Sequence, residues 1–211
     1  MTTLGTVMLV DDHAIVRQGY RTLLEKQSGL QVVAEAADGD AAYRLYQRLL
    51  PDLVVMDLTL PQMGGMESIR RIMKWDPRAR ILVFTMHQNA AYAVQAMRAG
   101  ASGYITKTGA PQALVQAVYD VLEGKIALSA DIDHELALSR IADADSVIDE
   151  LTPREFEILR LLLSGKSVDD IACALNLSRK TVANTHYLIK NKLGVTSDIS
   201  LVLIALRHGI V

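Results

Sequence analysis

Five times in the first 124 residues a short apolar run gives way to a longer amphipathic stretch, and this alternation constrains the fold more than any other feature of the chain. Val7 to Val10, Gln31 to Ala36, Leu53 to Asp57, Ile81 to Thr85 and Gly103 to Thr106 read as strands. Short runs dominated by apolar and β-branched residues suit strands covered on both faces. Ala14 to Gln27, about Asp40 to Leu50, about Gly65 to Trp75, Asn89 to Arg98 and Ala110 to Glu123 carry helical spacing, with Ile15, Leu23 and Leu24 as apolar positions of the first. Pro111 suits the first turn of the last helix, where a missing N–H is not felt. Strict succession of strand and helix implies an α/β fold: a doubly wound, five-stranded parallel sheet with helices on both faces.

Leu53-Val54-Val55-Met56-Asp57-Leu58-Thr59-Leu60-Pro61 is the stretch where chemistry is expected. The strand ends on a carboxylate, and Pro61 stops any continuation. In an open α/β sheet, sites form outside the carboxyl ends of the strands. Taken alone, Asp57 reads more readily as a loop residue capping the next turn. The other strand ends change the weighing. The first ends in Asp11-Asp12, the fourth in Thr85, and the fifth leads through Tyr104 to Lys107. Three carboxylates at one edge repel, and a hard divalent cation with oxygen ligands neutralises them; Mg²⁺ is usual where a phosphoryl group shares its coordination sphere. A lysine and a hydroxyl beside it complete a phosphoryl-handling site.

Beyond Gly124 the pattern breaks. Residues 125–148 hold five acidic and two basic residues, and read as a strandless linker with one helix over Asp131 to Ile141 (apolar at Ile132, Leu136 and Leu138) and a polar tether at Asp143 to Ser146. From Leu151 the periodicity is purely helical. Thr152-Pro153-Arg154-Glu155 is a capping box with proline at the first helical position, opening a helix that runs to Gly165. A second starts at Ser167 and reaches about Leu175; after Asn176-Leu177, Ser178 caps a third extending to Leu193-Gly194; Thr196 or Ser197 opens a fourth ending near Gly209. The short turn between the second and third makes a helix-turn-helix pattern.

Net charge is −2 for the whole chain, and its partition is more telling. Residues 1–124 carry 12 acidic and 12 basic side chains, and residues 149–211 carry 7 and 8. Between Ile171 and Ser197 there is no acid, while Arg179, Lys180, Lys190 and Lys192 are basic. Such a stripe meets phosphates, or is merely a solvated face; the turn that precedes it favours DNA. Val182, Ile189 and Leu193 keep one face of the third helix for the core, which turns Ala183, Asn184 and Tyr187 outward toward base edges.

Two resemblances follow. Asp11-Asp12, Asp57, Thr85 and Lys107, with Pro61, Gly65, Gly100-Ala101 and Gly103-Tyr104, resemble the signature of receiver domains of the response-regulator superfamily, a flavodoxin-like fold, over residues 5–124. The resemblance implies that Asp57 accepts a phosphoryl group from a histidine kinase. Mg²⁺ would be held by Asp11, Asp12, Asp57 and the backbone carbonyl of Thr59, and Lys107 would pair with a phosphoryl oxygen. Thr85 and Tyr104 would form the switch, the hydroxyl moving toward the phosphoryl group and the ring swinging into the vacated space. The side chains of Thr59 and His87 would influence how long the phosphoryl group lasts. His13 is read as starting the first helix, and His87 as lining the loop after Thr85. Receivers often carry proline after the lysine; here Thr108 follows Lys107. Leu151-Thr152-Pro153-Arg154-Glu155, Gly165-Lys166-Ser167, Ile171-Ala172, Lys180-Thr181-Val182 and Lys192-Leu193-Gly194-Val195 resemble the LuxR-type output domain. Ala183 and Thr185 stand where that family often has lysine and histidine, so base preference does not carry over. His186 is read as structural.

Together the halves resemble the NarL/FixJ subfamily: a receiver over 1–124, a linker over 125–148 and an all-α four-helix DNA-binding domain over 149–211. The expected protein is a transcription factor acting on double-stranded DNA, with no catalysis beyond Mg²⁺-dependent phosphorylation and dephosphorylation of its own receiver. A phosphohydrolase with an aspartyl nucleophile would need a second acid soon after Asp57, and Leu58, Thr59 and Leu60 supply none. A receiver serving only as an unphosphorylated interaction module would not need Asp11, Asp12 and Lys107. A cytoplasmic protein with no membrane span is expected: Cys173, the single cysteine, permits no internal disulfide and is read as a small core residue, and Met1 to Thr6 does not resemble a signal peptide. In the last helix, Ile199, Val202 and Leu206 fall on one stripe that would face the core. Leu201 and Ile204 are left over, for a homodimer contact or for packing on the linker.

Overall fold

The computed structural model describes residues 5–141 and 147–210, and of residues 138–141 and 149 only the backbone. The expected tether Asp143 to Ser146 lies outside the described residues, as does the side chain of Leu138. The strands are β1 (Gly5–Val10), β2 (Leu30–Ala36), β3 (Leu53–Met56), β4 (Ile81–Thr85), β5 (Gly103–Thr106) and β6 (Ala127–Leu128). Interleaved with the first five are α1 (Ala14–Glu25), α2 (Gly39–Leu49), α3 (Gly65–Trp75), α4 (Ala90–Ala99) and α5 (Pro111–Leu122). The sheet is wholly parallel in the order β2-β1-β3-β4-β5-β6.

It therefore has six strands, not five. Ala127 and Leu128 pair with Gly103 and Tyr104, so the expectation of a strandless linker fails at its start. Two residues are too few for a periodic signal, and what recruits them is the open edge of β5. Successive residues of β1 serve opposite faces: Val7 and Leu9 pack with Leu114 and Val118 of α5, while Met8 and Val10 pack with Ile69 and Ile72 of α3. The first helix departs from expectation. Leu24 is buried, but Ile15 stands almost wholly in solvent beside the acidic strand ends.

After β6 the linker forms α6 (Ala130–Ile141), and a 3₁₀ turn at Val147–Glu150 leads into the second domain. There α7 (Pro153–Leu163), α8 (Val168–Leu175), α9 (Arg179–Lys192) and α10 (Asp198–Arg207) pack around Phe156, Ile158, Ile171, Val182 and Ile189. The capping box at Thr152 is present, with Glu155 Oε2 accepting from Thr152 N at 2.8 Å. Ser167, Ser178 and Ser197 cap the next three helices, each accepting from a backbone N–H three residues on. Asn176 takes the left-handed conformation (φ 51°) that closes the α8–α9 turn.

Two expectations here are corrected. Cys173 is exposed, because Ile171, Ala172 and Leu175 already fill the inner face of α8. In α10 the inner face is Leu201 and Ala205, with Ile204 half-buried; Ile199, Val202, Leu203 and Leu206 are exposed. Both sides of this helix are apolar, and the small Ala205 lets the backbone approach the core on the side that the bulkier residues were expected to take.

The apolar core is continuous between the domains. The cluster that covers one face of the sheet includes Tyr92 and Ala96 of α4, then Ile148, Leu151 and Phe156.

Candidate functional site

Asp11 and Asp57 follow β1 and β3, the neighbours from which the sheet winds in opposite directions. That crevice is where open α/β sheets place their sites. The backbone sets the spacing, since Asp57 N donates to Val10 O at 2.9 Å. Gly65 lets the chain return close behind the strand: a Cβ there would meet the Asp57 carbonyl oxygen at 1.9 Å. Both carboxylates are buried, and Lys107 Nζ lies between them, 2.6 Å from Asp11 Oδ2 and 2.5 Å from Asp57 Oδ2. Burial alone would lower the lysine's pKa; the two carboxylates outweigh it and hold the ammonium above its ordinary value. Asp57 Oδ1 accepts from Thr59 N at 3.1 Å. Asp12 is more exposed and meets His13 Nδ1 at 2.7 Å. His13 is the N-cap residue of α1, without a side-chain cap bond.

Among the described residues, Asp11, Asp12 and His13 present possible ligand atoms within 4.8 Å of one another. Three carboxylates share this edge with one lysine ammonium, so negative charge remains in excess, on hard oxygen donors. That donor set fits Mg²⁺ better than a softer metal.

Thr85 is fully buried at the end of β4, its Oγ1 accepting from His87 N at 3.4 Å. Tyr104 is fully enclosed in this structure, and its hydroxyl donates to His87 O at 2.9 Å. Burial pushes that hydroxyl well above its ordinary pKa. His87 therefore does more than line a loop. Its Nε2 lies 3.2 Å from Thr59 Oγ1, and its ring stacks on Tyr92 with centroids 4.1 Å apart. Burial, with Arg160 nearby, lowers its pKa.

From Tyr92 the contacts leave the receiver. Its ring meets Phe156 edge-on at 5.0 Å, and its hydroxyl donates to Ile210 O at 3.1 Å. Asn89 Nδ2 donates to His208 O at 2.7 Å, so the N-terminal end of α4 holds the C-terminal end of α10. Gln95 Nε2 donates to Leu151 O at 2.9 Å, and Arg154 pairs with the buried Glu67. On the linker side, Glu135 Oε2 accepts from Ala90 N at 2.8 Å and Asp131 Oδ2 from Thr106 Oγ1 at 2.9 Å. None of these contacts was foreseen. Asn89 and His208 are 119 residues apart, and no local pattern announces a bond of that range.

On α9, Lys180, Ala183, Asn184 and Tyr187 are exposed together, as the helical phase requires. The other cations have protein partners. Arg179 pairs with Asp169 at 2.6 Å, Lys190 with Asp198 at 3.1 Å, and Lys192 with Glu155 at 2.7 Å. His186 meets Asp198 at 2.9 Å, consistent with a structural role. The receiver does not cover this face of α9.

Residues 7–119 match the family described as the response regulator receiver domain, and residues 149–205 that of bacterial regulatory proteins of the luxR family. The chain belongs to the response regulators, in the NarL/FixJ group that joins a receiver to a LuxR-type helix-turn-helix. It is 37% identical over 97% of its length to the response regulator UvrY of Escherichia coli, covering 94% of that protein. It is 38% identical to the response regulator GacA of Pseudomonas aeruginosa, covering 97% of each chain. Among solved structures, RcsB of Salmonella enterica serovar Typhimurium, bound to a promoter in the presence of a phosphomimetic, is 30% identical with a TM-score of 0.76, over 95% of this chain and 97% of that one. The chain is accordingly a DNA-binding transcription regulator of the two-component type. No helix among the described residues is long and apolar enough to cross a membrane.

Proposed function

We propose that Asp57 is the phosphoacceptor and that its modification frees the output domain (149–211) from the receiver (1–124) across the linker (125–148). The reading rests on one observation: Lys107 spans the buried carboxylates of Asp11 and Asp57 at the crevice between β1 and β3. An Asp57 oxygen attacks the phosphorus of a phosphohistidine on a sensor kinase; the P–O bond forms as the P–N bond breaks, and the imidazole leaves. Asp11, Asp12, Asp57 and the Thr59 carbonyl would hold Mg²⁺, which supplies charge neutralisation for the transferred group. Lys107 exchanges a carboxylate partner for a phosphoryl oxygen. Self-dephosphorylation by water would reset the protein, in the cytoplasm where the chromosome is accessible.

The added dianion would draw the Thr85 hydroxyl toward it and disturb the β4–α4 loop, on which Tyr104, His87 and Asn89 converge. Because Asn89 of that loop holds His208 O and Tyr92 in the first turn of α4 holds Ile210 O, displacement of the loop with the start of α4 would release the end of α10. The exposed Ile199, Val202, Leu203 and Leu206 form an apolar face suited to pairing with a second copy, which would set two α9 helices on two half-sites. On α9, Lys180 with Arg179, Lys190 and Lys192 would meet phosphates, while Ala183, Asn184 and Tyr187 would face bases. The test is DNA binding and mass, measured with and without a small-molecule phosphodonor and Mg²⁺. A single phosphoryl group and tighter DNA binding in the wild type, both lost in Asp57→Asn, are expected; phosphorylation of Asp57→Asn to the same extent would overturn the assignment.

A further inference from the structure

Between α3 of the receiver and the α7–α8 corner of the output domain lies a cavity of about 270 Å³, lined in part by Glu67, Arg70, Arg71, Lys74, Arg154 and Asn176. Its charges do not balance. Glu67 is buried and serves two guanidiniums at once, Arg70 Nη1 at 2.5 Å and Arg154 Nη1. Arg154 also donates through Nη2 to Leu175 O at 2.8 Å. Arg71 is matched by Asp40 at 3.0 Å, and Lys74 has no ion-pair partner among the described residues. Four cations thus line the cleft with one carboxylate, Glu67, while Asp40 meets Arg71 from outside the lining; the cleft is partly open to solvent, with Lys74 exposed and Glu67 buried. Burial pulls the Arg154 guanidinium below its ordinary pKa, and Arg70 adds to that against the pull of Glu67.

We propose that this cleft binds a diphosphate-type polyanion, held by Arg70, Arg71 and Lys74 from the receiver and Arg154 from the output domain. Guanidinium forks present paired N–H donors that match phosphate oxygens, and each such contact is charge-assisted. The volume admits a diphosphate group but falls below the range of about 300–1,000 Å³ that encloses a whole organic ligand. Any remainder of the molecule would stay in solvent. Because its ligating groups come from both domains, the anion binds the associated arrangement better than the separated one and shifts the population toward it.

Calorimetric titration of the full chain with sodium pyrophosphate, in EDTA so that the Asp57 site holds no metal, tests this. One saturable site per chain is expected. Arg70→Ala/Lys74→Ala should weaken it at least about tenfold, the scale of one lost charge-assisted hydrogen bond. Lys74→Glu, outside the ion pairs of the interface, should weaken it without touching the packing. Lys180→Ala, on the recognition helix, should leave it unchanged. Parallel titrations with ADP and with orthophosphate distinguish a nucleotide's diphosphate, free diphosphate and single phosphate as the source. No saturable binding of pyrophosphate, equal binding by Arg70→Ala/Lys74→Ala, or loss in Lys180→Ala would each overturn the proposal.

Discussion

On the proposed reading, the strand-end site of the receiver and the exposed face of α9 are opposite solutions to handling phosphate. The first buries Asp11 and Asp57 and pairs both tightly with the half-buried Lys107, each residue following the end of a different strand, so that a phosphoryl group must replace an interaction already made. The second leaves Lys180, Asn184 and Tyr187 exposed on one helix, where a polyanion can be met without rearrangement. A buried, paired site changes the protein when its charge changes; an exposed one merely binds. That difference explains why the receiver is suited to act as the switch and the helix as the reader.

The sharpest way to break the comparison is to remove the charge at the buried site. Asp57→Asn should abolish phosphorylation as judged by intact mass, and chelating Mg²⁺ in the wild type should do the same. Removing Lys180 should not affect phosphorylation at all. If Lys180→Ala slowed labelling as much as Asp57→Asn, the two regions would not be separable in the way proposed.

The second expected effect concerns α10, where sequence and structure part. Leu201→Glu would put a carboxylate where Phe156, Ile189 and their neighbours leave no water, at a cost of about 3–5 kcal/mol. The output domain should unfold at lower denaturant. Val202→Glu or Leu206→Glu, on the exposed face, should leave the denaturation midpoint near the wild type and instead reduce two-to-one binding of DNA in sedimentation. Dimeric complexes from a well-folded Val202→Glu/Leu206→Glu variant would show that this face is not the contact.

Legibility followed the same divide. Strand ends were readable because an uninterrupted apolar run can be placed in a parallel sheet in only one way, and its last residue then has one place to be. Asp57, Thr85 and Lys107 lie where that logic puts them. The phase of α10 was not readable, because Ile199, Val202 and Leu206 make as good a stripe as Leu201 and Ala205. The choice belongs to the surrounding core. Ile15 misled similarly: an apolar residue at the start of an amphipathic helix reads as inward, but it stands in solvent while its neighbour Val16 is half-buried. β6 is too short to leave a pattern, and the domain contacts through Asn89, Tyr92 and Arg154 depend on residues far apart in the chain. The family resemblance added the roles of the site residues, which spacing alone could not assign.

A third test sharpens the reader's side. Lys180 has no protein ion-pair partner among the described residues, whereas Lys192 is held by Glu155 at 2.7 Å and by Glu150 O at 3.3 Å. Lys180→Ala should therefore flatten the salt dependence of DNA binding by about one unit, the contribution of one phosphate. Lys192→Ala should flatten it less and lower stability slightly. Asn184→Ala and Tyr187→Ala should alter sequence preference instead. Identical salt slopes in all four variants would remove the division between positioning and base-reading residues.

The smallest expected effect is at the hinge between the two regions. Asn89 Nδ2 donates to His208 O, and Tyr92 donates to Ile210 O, so two neutral hydrogen bonds hold the end of α10 to the receiver. Each contributes about 0.5–1.5 kcal/mol net. Neither residue touches Asp57, and neither lies on α9. Asn89→Ala loses one bond but also the cap that accepts from Ala91 N at 2.8 Å, so its effect mixes release with a weakened α4. Tyr92→Phe is cleaner, since the ring keeps its stack on His87 and its edge on Phe156 and only the hydroxyl goes. The unphosphorylated Tyr92→Phe protein should bind DNA up to about tenfold more tightly than the wild type. The phosphorylated forms should bind equally if, as proposed, phosphorylation breaks this contact. A gain of the same size in both forms would place Tyr92 in DNA binding itself, and no gain in the unphosphorylated form would mean that the α10 end is not what the receiver restrains.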